Sequence, residues 1–148
     1  MRTFYMFKIN PEYSKLSEKI PYNLYSTMMG MKLLEANDQE YIQRQYRALT
    51  DAIDEDLNQG LYEEMALLDG YMLNGKVHIY NNYYSDENSR LMISKTFIVL
   101  KTNIPNSTFF TFLSKIPNLF VIDFEYQDYF WLKQIGNLRL VKPHKAIV

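Results

Sequence analysis

Few residues in this chain are equipped for covalent or metal chemistry. Cysteine is absent, which removes thiol nucleophiles, disulfides and thiolate metal ligands together. The two histidines are His78 and His144, too few to complete a zinc site without carboxylates. His78 stands between Val77 and Ile79. As a general base it would need a positioned acid and a pKa near neutrality; a partly buried, satisfied or solvent-facing histidine is far commoner. His144 lies in a basic tail with Arg139, Lys142 and Lys145, a solvated setting. Among the carboxylates, Glu63 and Glu64 are adjacent and point to different parts of a helix face. Asp123 and Glu125 would share one side of a strand if it ran unbroken, where they could hold a metal or divide acid and base roles; Glu125 to Asp128, however, reads as a turn. No further ligand stands at recognisable spacing, so no metal site is expected. Asp54, Glu55 and Asp56 read as a solvated helix end.

Phosphate chemistry has no better footing. A phosphate-cradling loop needs clustered glycines so that backbone N–H groups reach the anion. The five glycines, Gly30, Gly60, Gly70, Gly75 and Gly136, are all isolated. No Gly-x-Ser-x-Gly nucleophile turn occurs. Net charge is −1, so no global field draws the protein to DNA or to an anionic membrane. Basic residues gather in the tail and aromatics in the strands without interleaving, against direct nucleic-acid binding. The composition therefore points away from catalysis and from cofactors. Its unusual feature is aromatic content, 16% with 13 tyrosines. These cluster at residues 4–13, 80–84 and 124–131, where they suit sheet surface and core rim, or a binding face.

The elements that would position these residues follow from pattern. With 148 residues the chain fits one domain, able to bury about two-thirds of its extended surface. Its longest apolar runs are four or five residues, as in Phe97–Leu100, against the ~20 of a membrane span. No targeting segment is visible. A soluble, cytoplasmic protein with no membrane partner is expected. Residues 3–10 read as a strand apolar on both faces, hence interior. A short helix follows over Tyr13 to Lys19, then a helix from Leu24 to Ala36. The strongest helical pattern spans 38–57: Asn37 or Asp38 caps it, and Ile42, Tyr46, Leu49, Ile53 and Leu57 form one apolar stripe. Asn58-Gln59-Gly60 ends it, and Leu61 to Leu68 adds a further helical segment. Asn74-Gly75 predicts a type I′ hairpin turn between Tyr71-Met72-Leu73 and a strand from Lys76 to about Tyr84. Leu91 to Lys101 reads as one strand. A helix capped near Ser107 carries Phe109, Phe112, Leu113 and Ile116 inward until Pro117. Leu119 to Phe124 and Tyr129 to Leu132 read as two more strands. The tail after about 136 has no anchoring pattern and is expected to be loose. The fold class is α+β, a single domain with a mostly antiparallel mixed sheet covered by helices.

Two groups of residues resemble a known family. The first is Tyr5-x-Phe7-x-Ile9-x-x-Glu12-Tyr13. The second is Phe109-Phe110-x-x-Leu113-x-Lys115-x-Pro117 followed by Asp123-Phe124-x4-Tyr129-x-Trp131-Leu132. In order and placement they resemble the sporulation inhibitor of replication family, SirA, of Bacillus and related Firmicutes; the middle of the chain matches around Gln45-Tyr46 and Ile53. The resemblance implies a cytosolic, non-enzymatic α/β protein. It would bind the N-terminal domain of the replication initiator DnaA and block assembly of a productive origin complex. It places the partner-facing surface on Tyr13, Leu16 and Ser17 after the first strand, and on Ala48, Asp51, Ala52 and Glu55 of the long helix. Ser17 stands where the family favours an aromatic, and Ala52 where it has a glutamine. Loss of a central anchor commonly costs ~2 kcal/mol or more of binding energy, so the interface would be weakened or re-specified. Two other readings stand beside this one. One is an unrelated small Firmicute or phage adaptor that binds another protein through an aromatic face. The other is an enzyme or metal protein built on Asp123, Glu125 and His78.

Overall fold

The first strand decides the architecture, because it is apolar on both sides. In the computed structural model, which describes residues 1–34 and 39–133, β1 (Arg2–Lys8) lies inside a seven-stranded sheet of order β2-β3-β4-β5-β1-β6-β7, every pairing antiparallel. The other strands are β2 (Tyr71–Asn74), β3 (Val77–Asn82), β4 (Glu87–Ile93), β5 (Ile98–Thr102), β6 (Leu119–Asp123) and β7 (Asp128–Trp131). The helices are α1 (Pro11–Ser17), α2 (Pro21–Leu34), α3 (Gln39–Leu49), α4 (Asp56–Met65) and α5 (Thr108–Leu113). Alternation along β1 sends Phe4 and Met6 to one core, with Leu61 and Met65 of α4 and Phe109, Phe110 and Leu113 of α5. Phe7 and Ile9 enter a second core, with Leu24, Met28 and Met31 of α2 and Ile42 and Leu49 of α3. Helices therefore cover both faces of the sheet. The fold is the expected α+β single domain, with a purely antiparallel sheet.

The long helix expected over 38–57 breaks at Leu49. The apolar stripe is real, but it serves two cores: Ile42, Tyr46 and Leu49 pack on one side of the sheet, Ile53 and Leu57 on the other. Between them the chain crosses the sheet's end. Thr50 bridges Ile9, the Asp51 N–H donates to the Lys8 carbonyl at 2.7 Å, and the Ile53 N–H donates to the Lys95 carbonyl at 2.8 Å. These strand-like bonds take N–H groups that a continuing helix would turn on its own carbonyls. Asn58, Gln59 and Gly60 then lie inside α4 instead of ending a helix.

Three smaller expectations also change. The β2–β3 turn is centred on Gly75 and Lys76, since Asn74 pairs with Val77. Gly75 has φ +64° and Asn74 and Lys76 are not in the left-handed region, which suits a type II′ turn, not the type I′ turn expected at Asn74-Gly75. Leu91 to Lys101 is two strands joined at Ser94–Phe97, where the Ser94 N–H and hydroxyl both donate to the Phe97 carbonyl. In α5, Phe110 is buried with Phe109 and Leu113, whereas Phe112 and Ile116 are half-buried. Asn37, Asp38 and the tail after 136 lie outside the described residues.

Candidate partner-binding surface

Asn10 builds the junction on which the candidate residues sit. Its side-chain oxygen accepts from the Tyr13 N–H at 3.0 Å, capping α1 ahead of Pro11 at the first helical position. Its side-chain amide donates to the Ala48 carbonyl at 2.6 Å, and its own N–H donates to the Leu49 carbonyl at 2.9 Å. One residue thus starts α1 and ties it to the end of α3. The inner side of α1 is fixed by Ser14, whose hydroxyl donates to the Asn118 Oδ1 at 2.8 Å. Asn118 in turn takes the Ile9 N–H on its carbonyl.

This junction brings residues from two distant stretches to one end of the sheet. Tyr13 is 40% exposed and Leu16 79%. Ala48, Asp51, Ala52 and Glu55 are exposed as well. Of these four, only Ala48 belongs to a helix; Asp51, Ala52 and Glu55 lie on the segment that crosses the sheet's end, not on the helix face expected of them. Ser17 is corrected more fully. It is 7% exposed, at the last position of α1, which packs against α2, so its side chain offers a visitor no surface. Two residues not singled out in the sequence extend the exposed apolar run: Ile20 at 56% and Tyr22 at 57%. The signal was present, since Tyr13, Leu16 and Ile20 step by three and four residues, but the break before Pro21 hid it. On the other side of α1, Glu12, Lys15 and Glu18 line a cleft of about 490 Å³ shared with Asn118 and Trp131. The Trp131 indole N–H is buried without an acceptor among the described residues.

The residues weighed for chemistry are occupied elsewhere. His78 Nδ1 lies 2.7 Å from the Tyr71 hydroxyl and Nε2 lies 2.9 Å from the Asn58 Oδ1. Burial pushes its pKa below the ordinary 6.5. Asp123 is buried and takes Arg2 Nε at 2.9 Å, while its other oxygen accepts the N–H groups of Glu125 and Tyr126 at 3.1 Å. Because β6 ends at Asp123, Glu125 sits in the following turn and the two carboxylates do not share a strand face. Arg2 also meets Asp128 at 3.1 Å and lies over the rings of Phe4 and Tyr126. Glu64 pairs with Lys115 at 2.7 Å. Among the described residues, no group of three or more His, Cys, Asp or Glu side chains is placed to hold a metal ion. His144 is outside them.

The motifs that suggested a family lie on β1–α1 and on α5–β6–β7, all of which meet around this junction or the cores beneath it. A family model described as sporulation inhibitor of replication protein SirA matches residues 2–136. The chain belongs to the SirA family. The match runs from β1 through β7, so it takes in the middle of the chain, where the resemblance in motifs was thin. By the family's description, the chain is a member of a group that inhibits replication in sporulation. No curated protein matches it. Among the described residues, no helix is long and apolar enough to cross a membrane.

Proposed function

We propose that this SirA-family chain restrains replication initiation in the cytoplasm by binding the N-terminal domain of the initiator DnaA, through the surface where α1 meets the end of α3. It acts by occlusion and not by catalysis: one molecule covers one initiator domain, so the extent of inhibition follows concentration and affinity. The observation that carries this reading is the Asn10 junction, which holds an exposed leucine and a half-exposed tyrosine beside a small-residue helix end. Anchors fixed on a rigid element lose little entropy on binding, and tyrosine is enriched among the residues that dominate interface energies. Ala48 and Ala52 leave the neighbouring ground low, so a partner's side chain can approach the backbone closely.

The test is a calorimetric titration of the chain with the isolated N-terminal domain of DnaA. The expected result is a one-to-one complex with a Kd of about 10 µM or tighter, equivalent to roughly −7 kcal/mol or better. Absence of binding at protein concentrations of about 50 µM, where such a complex would be mostly formed, rejects the proposal.

A further inference from the structure

Beside the crossing segment, whose Thr50, Asp51 and Ala52 line it, a second concavity opens between α3, the β4–β5 turn and the face of β1. Its volume is about 460 Å³, within the size range of small-molecule sites. The floor is aromatic. Tyr5 lies 5.9 Å from Phe97 and 5.5 Å from Phe124, and Phe7 stacks on Tyr46 at 5.8 Å. The rim is cationic: among the described residues, Lys32, Arg47 and Lys95 line the groove against a single carboxylate, Asp51. Among the described residues the ion pairs engage Arg2 and Lys115, and none of these three cations. The Lys32 ammonium rests 5.1 Å from the Tyr5 ring centre and 4.9 Å from that of Phe124, where the electron-rich ring faces attract it. Basic residues and aromatics that are scattered along the sequence are thus interleaved in space.

We infer that this groove binds a nucleoside phosphate. An anion in a concavity rimmed by these cations gains charge-assisted hydrogen bonds from Arg47 and Lys95. A bare anion would leave the aromatic floor unused; a base laid against Tyr5 and Phe97 uses it. Gln43 lines the same groove and supplies both a donor and an acceptor for a base edge. The small, half-enclosed volume fits one nucleotide better than a peptide, which would run on past it. The inference does not rest on the initiator reading, although Asp51 and Ala52 border both surfaces.

Calorimetric titration with ATP and with GTP tests it, with inorganic triphosphate, adenosine and an acidic aromatic peptide as separate arms. At least one nucleotide is expected to saturate with a Kd below about 1 mM. Triphosphate alone and adenosine alone should each bind at least about tenfold more weakly, since each keeps only part of the contact. Arg47→Ala and Lys95→Ala, both at exposed positions, should each weaken nucleotide binding about fivefold or more with an unchanged melting temperature. Four results overturn it: no saturable nucleotide binding, triphosphate binding as tightly as the nucleotide, indifference to both substitutions, or binding of the acidic peptide alone.

Discussion

His78 is 1% exposed, and its two ring nitrogens have complementary partners. With the proton on Nε2 it donates to the Asn58 oxygen and accepts from the Tyr71 hydroxyl, so the neutral ring is fully satisfied. Charging it means placing an imidazolium in a site that burial makes costly, which is why its pKa falls below 6.5. The sign of the pH dependence follows. Between the lowered folded value and 6.5 the unfolded chain binds a proton that the folded chain does not, so stability rises with pH there. The contribution is whole above 6.5 and is lost as pH falls toward the folded value. Urea unfolding of the wild type and of His78→Gln should therefore show a stability difference that shrinks between about pH 7 and about pH 5; parallel curves would refute this role. The sequence placed His78 in a strand between Val77 and Ile79 but left open whether it faced solvent, and it held no clue to Asn58 and Tyr71 as partners. For Asp123 and Glu125, spacing gives a shared face only while the strand continues, and the turn expected from Glu125 onward is present, capped by Asp123 itself.

The helix expected over 38–57 shows what periodicity leaves open. Steps of three and four residues mark positions that want burial, but they do not say in which core. Ile42 and Ile53 keep the period and face opposite sides of the sheet, because the backbone between them bonds to Lys8 and Lys95. Contacts that remote are invisible to a local pattern. The same holds at β4–β5, where Leu91 to Lys101 reads as one strand but folds back at Ser94-Lys95. Interior β1, the β2–β3 hairpin, and β6 with β7 were legible, since alternation, Asn-Gly and continuous apolarity are local signals. Two glycines around β2 separate conformational from steric demands. Both Gly70, at φ +94°, and Gly75, at φ +64°, need the left-handed region. A Cβ at Gly75 would meet open space, whereas at Gly70 it would collide with the Asn81 carbonyl oxygen, whose residue's N–H donates to the Gly70 carbonyl at 3.0 Å. Gly75→Ala should cost about 1 kcal/mol for the strained backbone alone. Gly70→Ala should cost at least about 2 kcal/mol, because paired backbone must also move. Chemical denaturation of the two variants decides it, and equal losses would show that the Asn81 contact is not tight.

Taken together, the molecule is a sheet whose two faces are covered by helices that reach them by crossing one end. That end carries α1, the close of α3 and the crossing segment, fastened by Asn10 and by the bonds to Lys8 and Leu49. Family membership was legible because its motifs are local runs in β1–α1 and α5–β7. The exposure of the candidate residues was legible only in part. Tyr13 and Leu16 stand exposed on α1, but burial of Ser17 and the helix break before Asp51 depend on how α1, α2 and β1 pack, which residue spacing does not encode. Leu16 is the cleanest probe of the proposed surface, because at 79% exposure its side chain supports little of the fold. The decisive measurement is a parallel titration of the wild type and Leu16→Ala against the N-terminal domain of DnaA. Wild-type binding should be saturable, and the substitution should weaken it about tenfold or more without shifting the melting temperature. Equal affinities for the two proteins, or no binding by the wild type, would contradict a docking surface on α1.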